Sequence, residues 1–372
     1  MAASAVFTEN PPTAGFGSDE PIVWRALAAT RAAAIAASAW AGMGDAHAAD
    51  GAATAAMRSA LAALGTGVVV TGEGAKDEAP MLADGELTGD GTSPAFDIAV
   101  DPLECTDLCA QGLAGALSTI AVAPRGSLWS PGPAFYMDKL VLPPAAVGAA
   151  LITDPPEAIV RSAAAALGKN ATEMRVVVLD KPRHRDLIAR LRLVGAAVIA
   201  PTAGDVAGAL SVLLGGEQAD LLLGIGGTPE GVLAACAARA LGGEMQGRIA
   251  PQHEHERERV EAAGLDTGQV LNLRDLVGAD GAFIATGVTG GLLEAPQRTD
   301  GWLTTESIVI AAAAVNHIRN STPTEEEECR SCQCASCSTR PPVAATASAR
   351  STSTTWSRSR GSWRPRARQP RR

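Results

Sequence analysis

The residues best suited to chemistry lie in one short run, Asp97-Ile98-Ala99-Val100-Asp101-Pro102-Leu103-Glu104-Cys105-Thr106. Its alternating apolar residues predict a strand. The Asp-Pro step predicts that the strand ends in a turn, because proline donates no ladder hydrogen bond and restricts the residue before it. Asp101 and Glu104, three residues apart across that turn, can face one cation, with the Thr106 hydroxyl two residues further on. Hard oxygen donors at a strand end suit magnesium or manganese, which keep positions open for water and phosphate. Asp-Pro-x-Glu also fits an ordinary exposed turn, and other parts of the chain must distinguish the two.

A second acidic cluster repeats the arrangement. The apolar run Gly67 to Gly72 predicts a short buried strand that leads straight into Glu73, Asp77 and Glu78, interrupted by glycine and followed by Pro80. Asp50 lies near the start of a helix running through Met57, Leu61 and Leu64, where it can serve as an N-cap or as a further ligand. If the two strands are neighbours in one sheet, Asp50, Glu73, Asp101 and Glu104 can ring two or three divalent ions. Without cations, so many carboxylates would repel one another and raise their own pKa values.

The elements that position these groups can be read from periodicity. Ile22 to Trp40 predicts a helix, and Gly115 to Ala123 and Phe135 to Leu142 predict strands. Met174 to Asp180 predicts a buried strand, followed by Lys181-Pro182-Arg183-His184 and a helix to Leu193. Ala196 to Ala200 follows, and Gly204-Asp205 opens another helix. Ala219 to Gly224 predicts a strand ending in Ile225-Gly226-Gly227-Thr228-Pro229-Glu230-Gly231. There glycine lets backbone approach a ligand, and a helix starting near Pro229 points its N-terminus at the same place. The expected fold is α/β, with an α+β N-terminal half and an α/β C-terminal half. The expected divisions are a flexible 1–20, a metal-binding domain over 21–165, a sugar-phosphate-binding domain over 166–318 and a disordered tail over 319–372.

Composition narrows the function classes. The longest uncharged stretch near the N-terminus, Ala32 to Gly44, is shorter than the roughly 20 residues that span a bilayer, so no membrane helix is expected. The first 24 residues hold acids and no Lys or Arg, unlike a secretory or mitochondrial leader, and the expected location is the cytoplasm. From Thr339 to Arg372 there are nine arginines and no acid, so the remainder carries a charge of about −18. Four of the seven cysteines crowd into Cys329, Cys332, Cys334 and Cys337, enough sulfur for a zinc site but without the second well-separated pair that closes a knuckle. Nucleic acid is an expected partner only through the Arg-rich tail. His253 and His255, two residues apart, do not share a helix face and predict a surface helix start.

Taken together the segments resemble the class II fructose-1,6-bisphosphatases, within the lithium-sensitive sugar and inositol phosphatase superfamily. The resemblance rests on Ala49-Asp50-Gly51-Ala52, on Gly72-Glu73-Gly74-Ala75-Lys76-Asp77-Glu78-Ala79-Pro80-Met81-Leu82 and on Asp97 to Glu104. Tyr136-Met137-Asp138-Lys139-Leu140, Lys181-Pro182-Arg183-His184, Gly204-Asp205-Val206-Ala207 and Gly224 to Gly231 follow in the family's order, and the match fades after Ile310. It implies a layered α-β-α-β-α sandwich, metals held by Asp50, Glu73, Asp101, Glu104 and Glu230, and two or three Mg2+ or Mn2+ ions per site. Thr106 and Asp77 would position or deprotonate the attacking water. Glu104, Cys105, Thr106, Tyr136, Lys181, Arg183, Asp205 and Gly227 would bind the substrate. A homo-oligomer is also implied.

The implied reaction is removal of the 1-phosphate from fructose 1,6-bisphosphate, and from sedoheptulose 1,7-bisphosphate, in gluconeogenesis or the Calvin cycle. Two other functions fit the same fold: a phosphatase for inositol phosphates or 3′-phosphonucleotides, and a non-catalytic regulatory homologue. The second arises because Cys105 stands where the family has glycine. If that position needs a positive φ, a Cβ there costs on the order of 1 kcal/mol and can shift Thr106.

Overall fold

The computed structural model describes residues 16–72, 82–215 and 218–324. Glu73, Asp77 and the expected tail from residue 325 onward therefore lie outside the described residues. The alanine-rich start forms α1 (Pro21–Ser38) and α2 (Ala46–Leu61). Strands β1 (Gly67–Thr71) and β2 (Phe96–Glu104) lead to the five-residue α3 (Thr106–Ala110), then β3 (Leu117–Pro124) and β4 (Tyr136–Leu142). The middle of the chain alternates α4 (Pro156–Ala166), β5 (Arg175–Val177), α5 (Arg185–Leu193), β6 (Ala197–Ile199), α6 (Asp205–Leu213), β7 (Leu221–Gly227) and α7 (Thr228–Leu241). It ends with β8 (Glu244–Ile249), α8 (Glu254–Ala262), α9 (Leu273–Leu276), β9 (Ala282–Gly287), β10 (Gln297–Thr299), β11 (Trp302–Ala311) and β12 (Ala314–Pro323).

Among the described residues the strands form two mixed sheets. The seven-stranded sheet runs β1-β2-β3-β9-β11-β10, with β12 on the other edge of β11, and the five-stranded sheet runs β6-β5-β7-β4-β8. Side-chain alternation gives each sheet two buried faces. Ile98, Val100, Ile120, Val122 and Ile284 pack on α1 and α2. Their neighbours Ala99, Ala121, Phe283 and Ala285 share a core with α6, α7 and the Met137 and Val141 face of the second sheet. The opposite face of that second sheet, with Leu140, Val176 and Leu223, packs on Ile159 and Val160 of α4 and Ile188 and Leu191 of α5. The order of layers is therefore α-β-α-β-α, as the family resemblance implies. No helix among the described residues is long and apolar enough to cross a membrane.

The chain crosses between the sheets more than the expected boundary near residue 165 allows. Residue 165 falls inside α4, β4 belongs to the second sheet, and β9 to β12 return to the first. Residues 319–323, expected in the tail, complete β12, which pairs with β11 from Trp302↔Pro323 to Ala311↔Ala314. The polar face of β12 is solvent-exposed, which removes the apolar run that would announce a strand.

β2 also differs from expectation, because it does not stop at Pro102. Asp101 pairs with Thr119 and Glu104 with Leu117, so three steps on β2 match two on β3, and Pro102 sits in a bulge. β1 pairs with β2 only as far as Ala99, so its ladder is not interrupted by the proline.

Candidate active site

The bulge is what brings the two central carboxylates together. Residues three apart on a regular strand point to opposite faces, but the extra residue returns Glu104 to the face that carries Asp101. The Asp101 carboxylate accepts the Leu103 N–H at 3.1 Å, fixing the bulge. On the facing layer Glu230 lies in the first turn of α7, immediately after β7. Carboxylate oxygens of Asp101, Glu104 and Glu230 lie within 4.8 Å of one another.

These three acids sit on a cavity of about 480 Å³, whose wall also carries Asp50, Cys105, Thr106, Tyr136 and Gly227. Asp50 is the fifth residue of α2, and Asp45 is the N-cap, accepting the Ala48 N–H at 2.9 Å. The capping alternative for Asp50 is therefore excluded, and it lines the cavity from one helical turn in. Cys105 adopts φ +67°, ψ +50° and starts α3, whose first residue, Thr106, donates its hydroxyl hydrogen to Leu103 O at 2.9 Å. The position does require a left-handed backbone, and cysteine occupies it with the three carboxylates still converged.

Three residues that the resemblance placed with the substrate are off this wall. Arg183 donates from Nε and Nη2 to Ile225 O, at 3.2 and 2.8 Å, and its guanidinium lies 5.1 Å over the Tyr136 ring. Asp205 opens α6 and pairs with the ammonium of Lys139. Lys181 precedes the 3₁₀ turn Pro182–His184 and is half-buried. That turn is anchored by His184, which is buried between Leu179 O (2.8 Å from Nδ1) and the Ile225 N–H (2.8 Å from Nε2). Accepting from Ile225 requires a neutral imidazole, and burial lowers the His184 pKa accordingly.

The last two glycines of β7, Gly226 and Gly227, are also required by the side chains around them. A Cβ on Gly227 would fall 1.8 Å from Glu230 Oε2, and one on Gly226 would fall 2.1 Å from Asp205 Oδ2. Their missing side chains make room for acids of the site. The wall also holds His47 and Asp84, which sequence reasoning passed over. Asp84 accepts the Gly72 N–H at 3.2 Å, and its pKa is raised by burial. Its context, Ala83-Asp84-Gly85, reads as a plain turn.

Electrostatically the centre is short of positive charge. Glu104 is buried, and its pKa is pushed up to about 8, first by burial and then by Asp205 and Glu230; a hydrogen bond with Asp101 and the charge of Lys139 oppose the rise. Burial, and then the same acids, raise the Cys105 thiol too, so it is a neutral group. Glu104 Oε1 is buried with no hydrogen-bond partner among the described residues. An orphaned carboxylate oxygen, beside two further carboxylates on a residue that lines a cavity, fits a hard divalent cation.

Comparison with known proteins decides the family. The family described as "Bacterial fructose-1,6-bisphosphatase, glpX-encoded" matches residues 20–323. This chain belongs to the class II fructose-1,6-bisphosphatase family. It is 42% identical over 297 residues to the fructose-1,6-bisphosphatase 1 class 2 of Escherichia coli strain K12, covering 76% of this chain and 88% of that protein. The class 2 enzymes of Escherichia coli O6:H1 and Shigella flexneri match to the same extent. The family match runs past Ile310, where the motifs fade, to the end of β12. Membership makes the chain a phosphoric monoester hydrolase by descent, with a candidate acidic metal site at the family's motif positions.

Proposed function

We propose that this protein hydrolyses the 1-phosphate of fructose 1,6-bisphosphate, giving fructose 6-phosphate and inorganic phosphate; sedoheptulose 1,7-bisphosphate presents the same group. The observation that carries this reading is the convergence of the Asp101, Glu104 and Glu230 carboxylates, with Glu104 Oε1 buried and without a hydrogen-bond partner among the described residues, in a member of this family. Asp101, Glu104 and Glu230 would hold the metal, with Asp50 on the same cavity and Glu73 beyond the described residues. Two or three magnesium or manganese ions would polarise the phosphoryl group and stabilise charge on the leaving oxygen.

The chain's own groups account for the other requirements. The Thr106 hydroxyl gives its hydrogen to Leu103 O, which leaves its lone pairs to accept from the attacking water. Asp77 is the proposed proton acceptor. The neutral Cys105 thiol packs beside the turn and takes no part in bond making. Tyr136 and Gly227 on the cavity wall form the sugar and 6-phosphate side together with Lys181, Arg183 and Asp205 beyond it. A bisphosphate entering so acidic a cavity needs cationic counter-charge, and Lys181 and Arg183 supply it. Convergence of the carboxylates despite the left-handed Cys105 supports an active enzyme over a non-catalytic homologue.

The test is product analysis with magnesium or manganese, using fructose 1,6-bisphosphate, inositol 1-phosphate and a 3′-phosphonucleotide in parallel. Fructose 6-phosphate and phosphate in equal amounts are expected from the first, with far slower release from the others. Turnover of only an inositol phosphate or a phosphonucleotide would overturn the assignment.

A further inference from the structure

Lys139 is the largest fully buried side chain of the described residues and is 2% exposed. It lies on β4, on the Met137 and Val141 face that packs towards α7, where the alternation calls for an apolar residue. Its ammonium pairs with the carboxylate of Asp205, itself buried at the start of α6. A buried ammonium is tolerated only when paired. The chain has shaped a niche for this pair. A Cβ on Gly226 would fall 2.1 Å from Asp205 Oδ2 and 3.1 Å from Lys139 Nζ, and one on Gly231 would fall 3.3 Å from Lys139 Cε. The pair is close enough to the carboxylate cluster that both charges act on Glu104, with opposite sign.

We propose that Lys139 is a positioning residue of this site: from its niche under Gly226 it holds Asp205 towards the sugar side and sets the positive charge against which Asp101, Glu104 and Glu230 bind a divalent cation. This rests on the proposed function only for the role of Asp205 towards substrate. The charge argument needs nothing beyond the cluster. A fixed cation beside a metal site lessens repulsion among the carboxylates and, for the same reason, weakens their hold on a metal. Removing either member of the pair therefore shifts metal affinity in opposite directions, which loss of packing alone does not do.

The test uses the full chain and Mn2+ alone, titrated by electron paramagnetic resonance without substrate, beside steady-state kinetics with fructose 1,6-bisphosphate. Lys139→Met should bind Mn2+ more tightly by about threefold or more, and Asp205→Asn more weakly by about as much, from the loss of one unit charge near the site. The double variant, with net charge restored and neutral groups in the niche, should return to within about twofold of wild type. All three should raise KM by about tenfold or more, with a smaller change in kcat, because Asp205 no longer presents a held carboxylate. Shifts of Mn2+ affinity in the same direction in the two single variants, or an unchanged KM in any of them, would overturn the proposal. If Lys139→Met does not fold, Asp205→Asn and the double variant give the same two readouts. Absence of turnover by wild type would defeat the functional reading while leaving the order of Mn2+ affinities as a separate result.

Discussion

Replacing Gly227 with alanine should separate the backbone from the metal centre. Gly227 has φ −68° and ψ 147°, a conformation that any residue adopts, so alanine costs the backbone nothing special. Its Cβ, however, would fall 1.8 Å from Glu230 Oε2 and 2.5 Å from Glu230 Cδ, whereas ordinary contact begins at 3.4 Å. The Glu230 carboxylate must retreat by about 1.6 Å, the difference between the two distances, and so leave Asp101 and Glu104. Displacements of about 1 Å at a reacting centre cost about 100-fold in rate. We expect kcat/KM to fall by at least that factor, about 2.7 kcal/mol of transition-state stabilisation. The end of a glutamate side chain is flexible, so folding should change by less than about 1 kcal/mol and Tm by no more than about 4 °C. The assay is phosphate release with Mn2+, paired with a Mn2+ binding titration and a thermal melt followed by circular dichroism. A variant that melts like wild type and keeps kcat/KM within about threefold would refute the reasoning, because Glu230 would then not need its observed position.

Cys105→Gly removes a left-handed cysteine worth about 1 kcal/mol of strain but adds glycine's unfolded-state entropy of about 0.5–1 kcal/mol. Stability should hold within about 1 kcal/mol and kcat/KM within about threefold, since the turn already has the required φ; a gain above about tenfold would mean that the thiol misaims Thr106. Glu104 predicts a pH dependence in metal-free protein. Its folded pKa of about 8 lies above the ordinary carboxylate range, so between about pH 5 and pH 8 the folded state holds the extra proton and Tm falls as pH rises. Glu104→Gln should flatten that slope in melts taken across the range, and an unchanged slope would assign the proton elsewhere.

The α/β class was legible because strands and helices alternate with clean apolar periods, whereas the order of the layers came only from the family resemblance. The carboxylates at Asp101 and Glu104 were legible as types but not as geometry. Asp-Pro reads as a strand end, whereas the chain uses Pro102 inside a bulge whose extra residue is the reason both acids face the same way. Glu230 could not be tied to them by spacing, since only the packing of α7 between the sheets brings it there. Lys139 carried a signal that went unused, a charged residue immediately before the buried apolar run Leu140-Val141-Leu142 and on the same face as Met137 and Val141. Gly226 and Gly227 were read as backbone that approaches a ligand; that they also leave volume for Asp205 and Glu230 is something no local pattern records. Residues 319–323 were lost to the expected tail because an exposed edge strand such as β12 has no continuous apolar run.

The central claim is that Asp101, Glu104 and Glu230 form a metal-dependent phosphatase centre. The most direct measurement is phosphate release from fructose 1,6-bisphosphate by the wild-type chain, before and after chelation and again after manganese is restored. The account predicts release that is abolished by the chelator, recovered with the metal and absent in Asp101→Asn with an intact melt. Release that persists after chelation, or survives in Asp101→Asn, would contradict it.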